Sequence, residues 1–288
     1  MSFGYKVLGF GAGGAGPAFG ITATGGTETL DGAFKVHTFT ANGNFIVAAL
    51  GTDVTFGSKV EYLVVAGGAG GGMSGHGGGG GAGGYRHNSA YDMTVSVQSY
   101  AVVCGARGEG GGPGTCGDSG GVSSFNSISS AGGGGGGGHG TGGCTGGSGG
   151  GGMINQGGAA GNVPSTSPAQ GHSGPGGTQH GSGAPAYPAG GGGGAGSTGY
   201  PNPSDSIGGT GGDGSSNDIS GTSTIYSAGG AGHGHGVNQV GGSSGKGGDS
   251  NTATSGGRNI AGNYGAGGGG TALNSSQGVV VIRYKVSA

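Results

Sequence analysis

The sequence predicts a mostly β and irregular chain: a β scaffold, made of a hairpin and buried strands, carrying a packed bundle of polyglycine II helices, with essentially no α-helix. Three observations predict it. Glycine supplies 92 of the 288 residues, much of it in unbroken runs. Short apolar stretches rich in β-branched residues, such as Val60–Ala66, pass into those runs without a linker; their length and composition are those of buried strands. Charged residues make up only 7% of the chain and the formal net charge is −2, so the charge signature of a disordered segment is missing.

Glycine loses more conformational freedom on folding than any other residue, so a long run is either a linker or a structure that needs side chains to be absent. The extended left-handed threefold helix is such a structure. It has no internal hydrogen bonds, so each buried N–H and C=O must pair with a neighbouring segment. Gly80, Gly135, Gly192 and Gly268 lie in the runs expected to pack in this way. Collagen is excluded, because there is no strict three-residue period and only 9 prolines. Leu, Ile, Val and Phe together number 41, too few for an ordinary core in a chain of this length.

The elements follow in order. Residues 1–57 read as an attachment segment with a β-hairpin, and residues 58–288 as the glycine-rich polyglycine II and β domain. The opening residues 1–20 resemble a tag, because attachment segments concentrate at exposed chain ends. Ala33–Thr40 and Phe45–Val47 flank Asn42-Gly43 and predict the hairpin. His37 falls inside its first strand, as a cross-strand side chain. Val60–Ala66 is the central strand. Met93–Val97 alternates as a half-buried strand, Tyr100–Cys104 continues it, and glycine follows. Val122–Ile128 repeats the device before the run that begins at Gly132. From Met153 to Thr271, glycine runs alternate with Pro-, Asn-, Ser- and Tyr-bearing segments of turn-forming composition. Gly278–Val286 is a second apolar strand, expected to share one scaffold with Val60–Ala66.

The stretches FKVHTFTANGNF, VEYLVVAGGAGGG, YAVVCGARGEGG, SSFNSISSAGGGGGGG and the terminal GVVVIRY together resemble the glycine-rich domain of bacteriophage tail-fibre and other virion structural proteins. The pattern is similar to the distal tail-fibre adhesins of T-even-like phages. The resemblance implies polyglycine II helices packed between β elements, with loops presented to host receptors. It also implies a non-enzymatic protein of the virion surface, assembled in the host cytoplasm and joined to other virion proteins through its N-terminal region. The alternative is a self-assembling filament or capsid decoration without receptor binding.

The loop residues expected to meet a host receptor or glycan are Tyr187, Tyr200, Asn202, Tyr226 and Tyr264, because tyrosine offers large, rigid contact area with a polar tip. The same tyrosines would equally serve as lids on an open glycine bundle. No catalytic site is expected. Gly117-Asp118-Ser119-Gly120-Gly121 matches the letters around a protease nucleophile, but no histidine segment frames it as a base. The G-x-G-x-x-G matches lack a strand–helix frame, and Gly245-Lys246-Gly247 lacks the hydroxyl residue of a phosphate loop. No basic stripe exists to meet nucleic acid, and no apolar run is long enough to insert in a membrane. Neither a cofactor nor a metal is expected. The pair His233 and His235 would suit a metal only at a trimer axis, and solvent-facing or helix-capping histidine is the simpler reading. Cys104, Cys116 and Cys144 fit no zinc spacing; a Cys104–Cys116 bridge is one option, and free buried thiols are the expectation for cytosolic assembly.

Overall fold

The computed structural model describes residues 18–73, 76–180, 187–234, 239–250 and 263–287. The residues 1–17 of the expected attachment segment, and His235, lie outside them. The strands are β1 (Thr22–Thr24), β2 (Thr27–Asp31), β3 (Phe34–Phe39), β4 (Gly43–Ala49), β5 (Lys59–Val65), β6 (Tyr85–Thr94), β7 (Ser99–Val103), β8 (Ser123–Phe125), β9 (Ile128–Ser130), β10 (Ser215–Asn217), β11 (Thr224–Tyr226) and β12 (Val279–Lys285). A four-residue turn of helix, α1 (Gly242–Gly245), is the one helical element among the described residues.

Two five-stranded antiparallel sheets stack face to face. Their strand orders are β1-β4-β7-β8-β9 and β2-β3-β12-β5-β6. Each therefore draws strands from both sides of residue 57. Phe45, Tyr100 and Phe125 from the first sheet meet Phe39, Ile282 and Tyr284 from the second in one buried cluster. The opposite face of the second sheet is covered too: Val36, Leu63, Val65 and Val281 pack beneath Ile219 and Tyr226. β5 and β12 are buried on both faces, which is why they read as continuous apolar runs rather than alternating ones. They pair directly, with Val64 opposite Val280, as their matching character predicted.

The expected hairpin around Asn42-Gly43 does not form. Both strands exist, but β3 is flanked by β2 and β12 while β4 pairs with β1 and β7, so the turn carries the chain from one sheet to the other. Both edges of β3 are occupied: β12 takes one with its apolar run, and β2 the other through the two-residue turn at Gly32-Ala33. Nor do Met93–Val97 and Tyr100–Cys104 form one strand. Met93 and Thr94 end β6, which begins at Tyr85, and β7 lies in the facing sheet.

A histidine and an ion pair are largely buried in this scaffold. His37 is fully buried, with Nδ1 2.7 Å from the carbonyl of Gly25 and Nε2 3.2 Å from the Tyr284 hydroxyl. Burial holds its pKa below the usual imidazole value, against the opposing pull of the Gly25 carbonyl and Glu28. Across the second sheet Arg283 Nε donates to Glu61 Oε2 at 2.5 Å, with the guanidinium 4.8 Å above the Phe34 ring.

The strands continue into glycine rods. β5 runs into residues 66–72, the rod 78–84 runs into β6, and β9 runs into 131–137. Hydrogen bonding in the rods has a period of three. Gly67 and Gly70 donate to Gly121 and Asp118, Gly68 and Gly71 to Ser276 and Leu273, and Ala69 and Gly72 to Gly81 and Gly78. Each third residue returns to the same neighbour, as a threefold helix requires. The rod 78–84 is the centre of the bundle, bonded to six others: 66–72, 131–137, 148–151, 190–193, 265–268 and the segment at Gly230.

Glycine is needed here for close approach, because a Cβ on these rods would collide with a facing backbone. One placed on Gly80, Gly135, Gly192 or Gly268 would fall closer than 3.0 Å to the carbonyl of Ala69, Gly117, Gly80 or Leu273 respectively. The few alanines, such as Ala69, Ala82 and Ala231, sit fully buried where a methyl fits.

Candidate recognition surfaces

Because rods and strands are collinear, the bundle has a sheet end and a far end. The hydrogen-bond register decides which turns share the far end. Gly72 pairs with Gly78 across the turn holding His76, Gly137 accepts from Gly78 before the Gly138–Thr141 turn, and Gly151 donates to Gly79 before Met153–Gln156. Gly79 also donates to Gly190, and Gly77 accepts from His233. Several of these turns use left-handed backbone: Gly114, Gly140, Asn155 and Ala272 have φ between 54° and 75°.

The five loop residues expected from sequence are dispersed by this arrangement. Tyr187 lies at the far end, 39% exposed, its ring 4.4 Å from that of His76, which in turn stands edge-on to His233 at 5.7 Å. Tyr200 is 49% exposed on the flank of the bundle, beside Val240. Asn202 corrects the expectation, since it is only 2% exposed. Its Oδ1 accepts from the Thr178 N–H at 2.7 Å and its Nδ2 donates to the Thr178 and Ser204 carbonyls, so it ties two turns together like a short strand pair. Tyr226 is a second correction: it is buried in the cluster on the outer face of the second sheet, with Tyr264 packed against it at the sheet end.

His235 lies outside the described residues, so the histidine pair is not placed; among the described residues no group of three or more His, Cys, Asp or Glu side chains could hold a metal ion. The Gly117–Gly121 motif is a rod, with Gly117 donating to Gly136 and Gly120 to Gly133. Cys116 bridges to Cys144, with Cα atoms 6.5 Å apart, at the far end of two rods. This replaces the Cys104–Cys116 option and the free thiols expected at both positions, because the whole rod 105–111 separates Cys104 from Cys116. Cys104 stays a thiol, donating to the Phe39 carbonyl, and burial pushes its pKa up to about 11.

A second surface, at the sheet end, was not apparent from the sequence. The edge strand β6 and the β10–β11 hairpin enclose two adjoining depressions of about 390 and 340 Å³, sharing Tyr62, His87 and Asn88. Asn217 fixes the hairpin wall: its Nδ2 donates to the Tyr85 hydroxyl and its Oδ1 accepts from the Ile219 N–H, both at 2.9 Å. The signal available was YRHNSAYD at residues 85–92, an unusually dense group of hydrogen-bonding side chains in a chain with 7% charged residues.

The model of the glycine-rich domain matches residues 40–285. The chain belongs to the glycine-rich domain family. Its match runs from the turn that links the two sheets to the end of β12, so the family's pattern takes in both the rods and most of their scaffold. A search of curated proteins finds no match.

Proposed function

We propose that this glycine-rich domain protein is a non-enzymatic structural component of a phage particle surface, a tail-fibre or surface-fibre part that displays its far-end turns for host recognition. The observation that carries the reading is the central rod with six hydrogen-bonded neighbours. Such a bundle fixes the positions of the turns at its end, and rigid supports with variable loops are the usual basis of recognition surfaces. Tyr187 with His76, and Tyr200 on the flank, supply exposed ring surface there. Attachment to other virion proteins runs through the N-terminal region, and the partner at the far end is a host surface receptor or glycan. No nucleic acid, membrane insertion or cofactor enters this role.

A particle-surface filament or decoration is the second reading. Its support is the open edge strand β2, exposed at four of its five residues, with Leu30 74% exposed; unpaired edges favour pairing between copies. Gold-labelled antibody on purified phage particles, combined with adsorption competition by the free protein, separates the cases. Surface label with competition is expected. Label without competition supports decoration, and particles without label would overturn both readings.

A further inference from the structure

We propose that the groove between β6 and the β10–β11 hairpin binds a neutral oligosaccharide. The inference concerns the isolated domain and does not depend on which particle carries it.

The lining sets the ligand class. His87, Asn88 and Asp218 stand with the hydroxyls of Ser89, Ser216 and Ser223 around the larger depression. This set mixes donors and acceptors, which suits vicinal hydroxyls, since each of those both donates and accepts. The two cations at the groove are engaged within the protein: Arg283 by Glu61 at 2.5 Å, and Arg86 Nη1 by the Ser129 carbonyl at 3.3 Å. An anionic ligand would have to compete for both and would face Asp218, so a neutral one fits better. At the other end, Pro168, Ala169 and Ala195 line the second depression and offer apolar surface for the C–H face of a sugar ring.

The groove is also preformed. Its floor is the doubly covered sheet, and its wall is held by the two Asn217 hydrogen bonds and by Ile219, which is 4% exposed in the core below. Little ordering is then required on binding. The combined volume lies in the range of small-ligand sites, about 300–1,000 Å³. Because the two depressions share His87 and Asn88, the site is elongated and takes more than one sugar unit.

The test is a printed array of neutral and acidic oligosaccharides probed with the full chain, followed by titration calorimetry with the best neutral hit. Selective retention of neutral oligosaccharides is expected. His87→Ala and Asp218→Ala, both exposed positions, should each weaken binding by about tenfold or more without changing the melting temperature. Tyr187→Ala, at the far end, should bind as the parent does. The proposal is overturned if no neutral oligosaccharide is retained, if acidic ones are preferred, if both groove variants bind normally, or if an extended peptide rather than a sugar shifts the amides of β6.

Discussion

The amide of Gly80 donates to the carbonyl of Gly268 at 2.8 Å, and the carbonyl of Gly80 accepts from Gly230 at 2.9 Å. One residue thus joins three rods, and nothing lies between the backbones. Gly80→Val would place a branched side chain against the Ala69 carbonyl and separate buried groups that satisfy one another. A loss of about 4 kcal/mol or more is expected, in the range of the most damaging core substitutions. Gly32→Ala tests the other use of glycine: its added Cβ meets nothing, yet its φ of 56° is left-handed, so the cost should be about 1 kcal/mol. Denaturant midpoints of the two variants check the contrast.

His37 should make stability depend on pH. Its folded pKa lies below the unfolded value because the ring is buried; Glu28 pulls the other way and Lys35 adds to the lowering. The unfolded state therefore binds more protons in the acid range. The contribution is fully present above the unfolded pKa of about 6.5 and is lost as pH falls below it. Unfolding midpoints between pH 8 and pH 5 should fall with acidity, and His37→Gln should flatten that slope. An unchanged slope in the variant would contradict the assignment.

The Cys116–Cys144 bridge closes a loop with a sequence separation of 28. Cys116→Ser with Cys144→Ser should cost about 2–4 kcal/mol, read as a lowered melting temperature. Alkylation at pH 8 should leave Cys104 unmodified in the native protein, because its thiol is held up to about 11, and modify one thiol per chain after denaturation.

Asn202→Ala should destabilise by about 1–3 kcal/mol, because a side chain only 2% exposed loses its hydrogen bonds to Thr178 and Ser204. Tyr200→Ala, at an exposed position, should stay within about 0.5 kcal/mol. Equal melting temperatures for the two variants would contradict the tie between the turns.

Much of this fold was legible because the two kinds of segment obey different physics. β5 and β12 are apolar on both faces, and that composition announces a doubly covered strand wherever the rest of the chain goes. The glycine runs could be read as rods because a chain with so few large apolar residues needs another source of cohesion. Pairing was not legible. Asn42-Gly43 has the letters of a hairpin turn, but partner choice was decided by β12, more than two hundred residues away, and by β2, whose exposed residues have no apolar pattern. The site residues divided for a similar reason. Tyr187 and Tyr226 lie in similar sequence surroundings, yet rod direction sends one to the far end and the other beneath the second sheet. The groove went unseen because its walls come from residues 85–90 and 215–223, which only the return of the chain to the sheet end brings together.

The glycine runs form a mutually hydrogen-bonded bundle. Amide hydrogen exchange across residues 67–72, 78–84 and 132–137 tests it most directly. Protection there should approach that of β5 and β12, since these amides open only with the bundle. Exchange at the rate of exposed chain would show the runs to be linkers, and would leave the two sheets as the only folded part of the molecule.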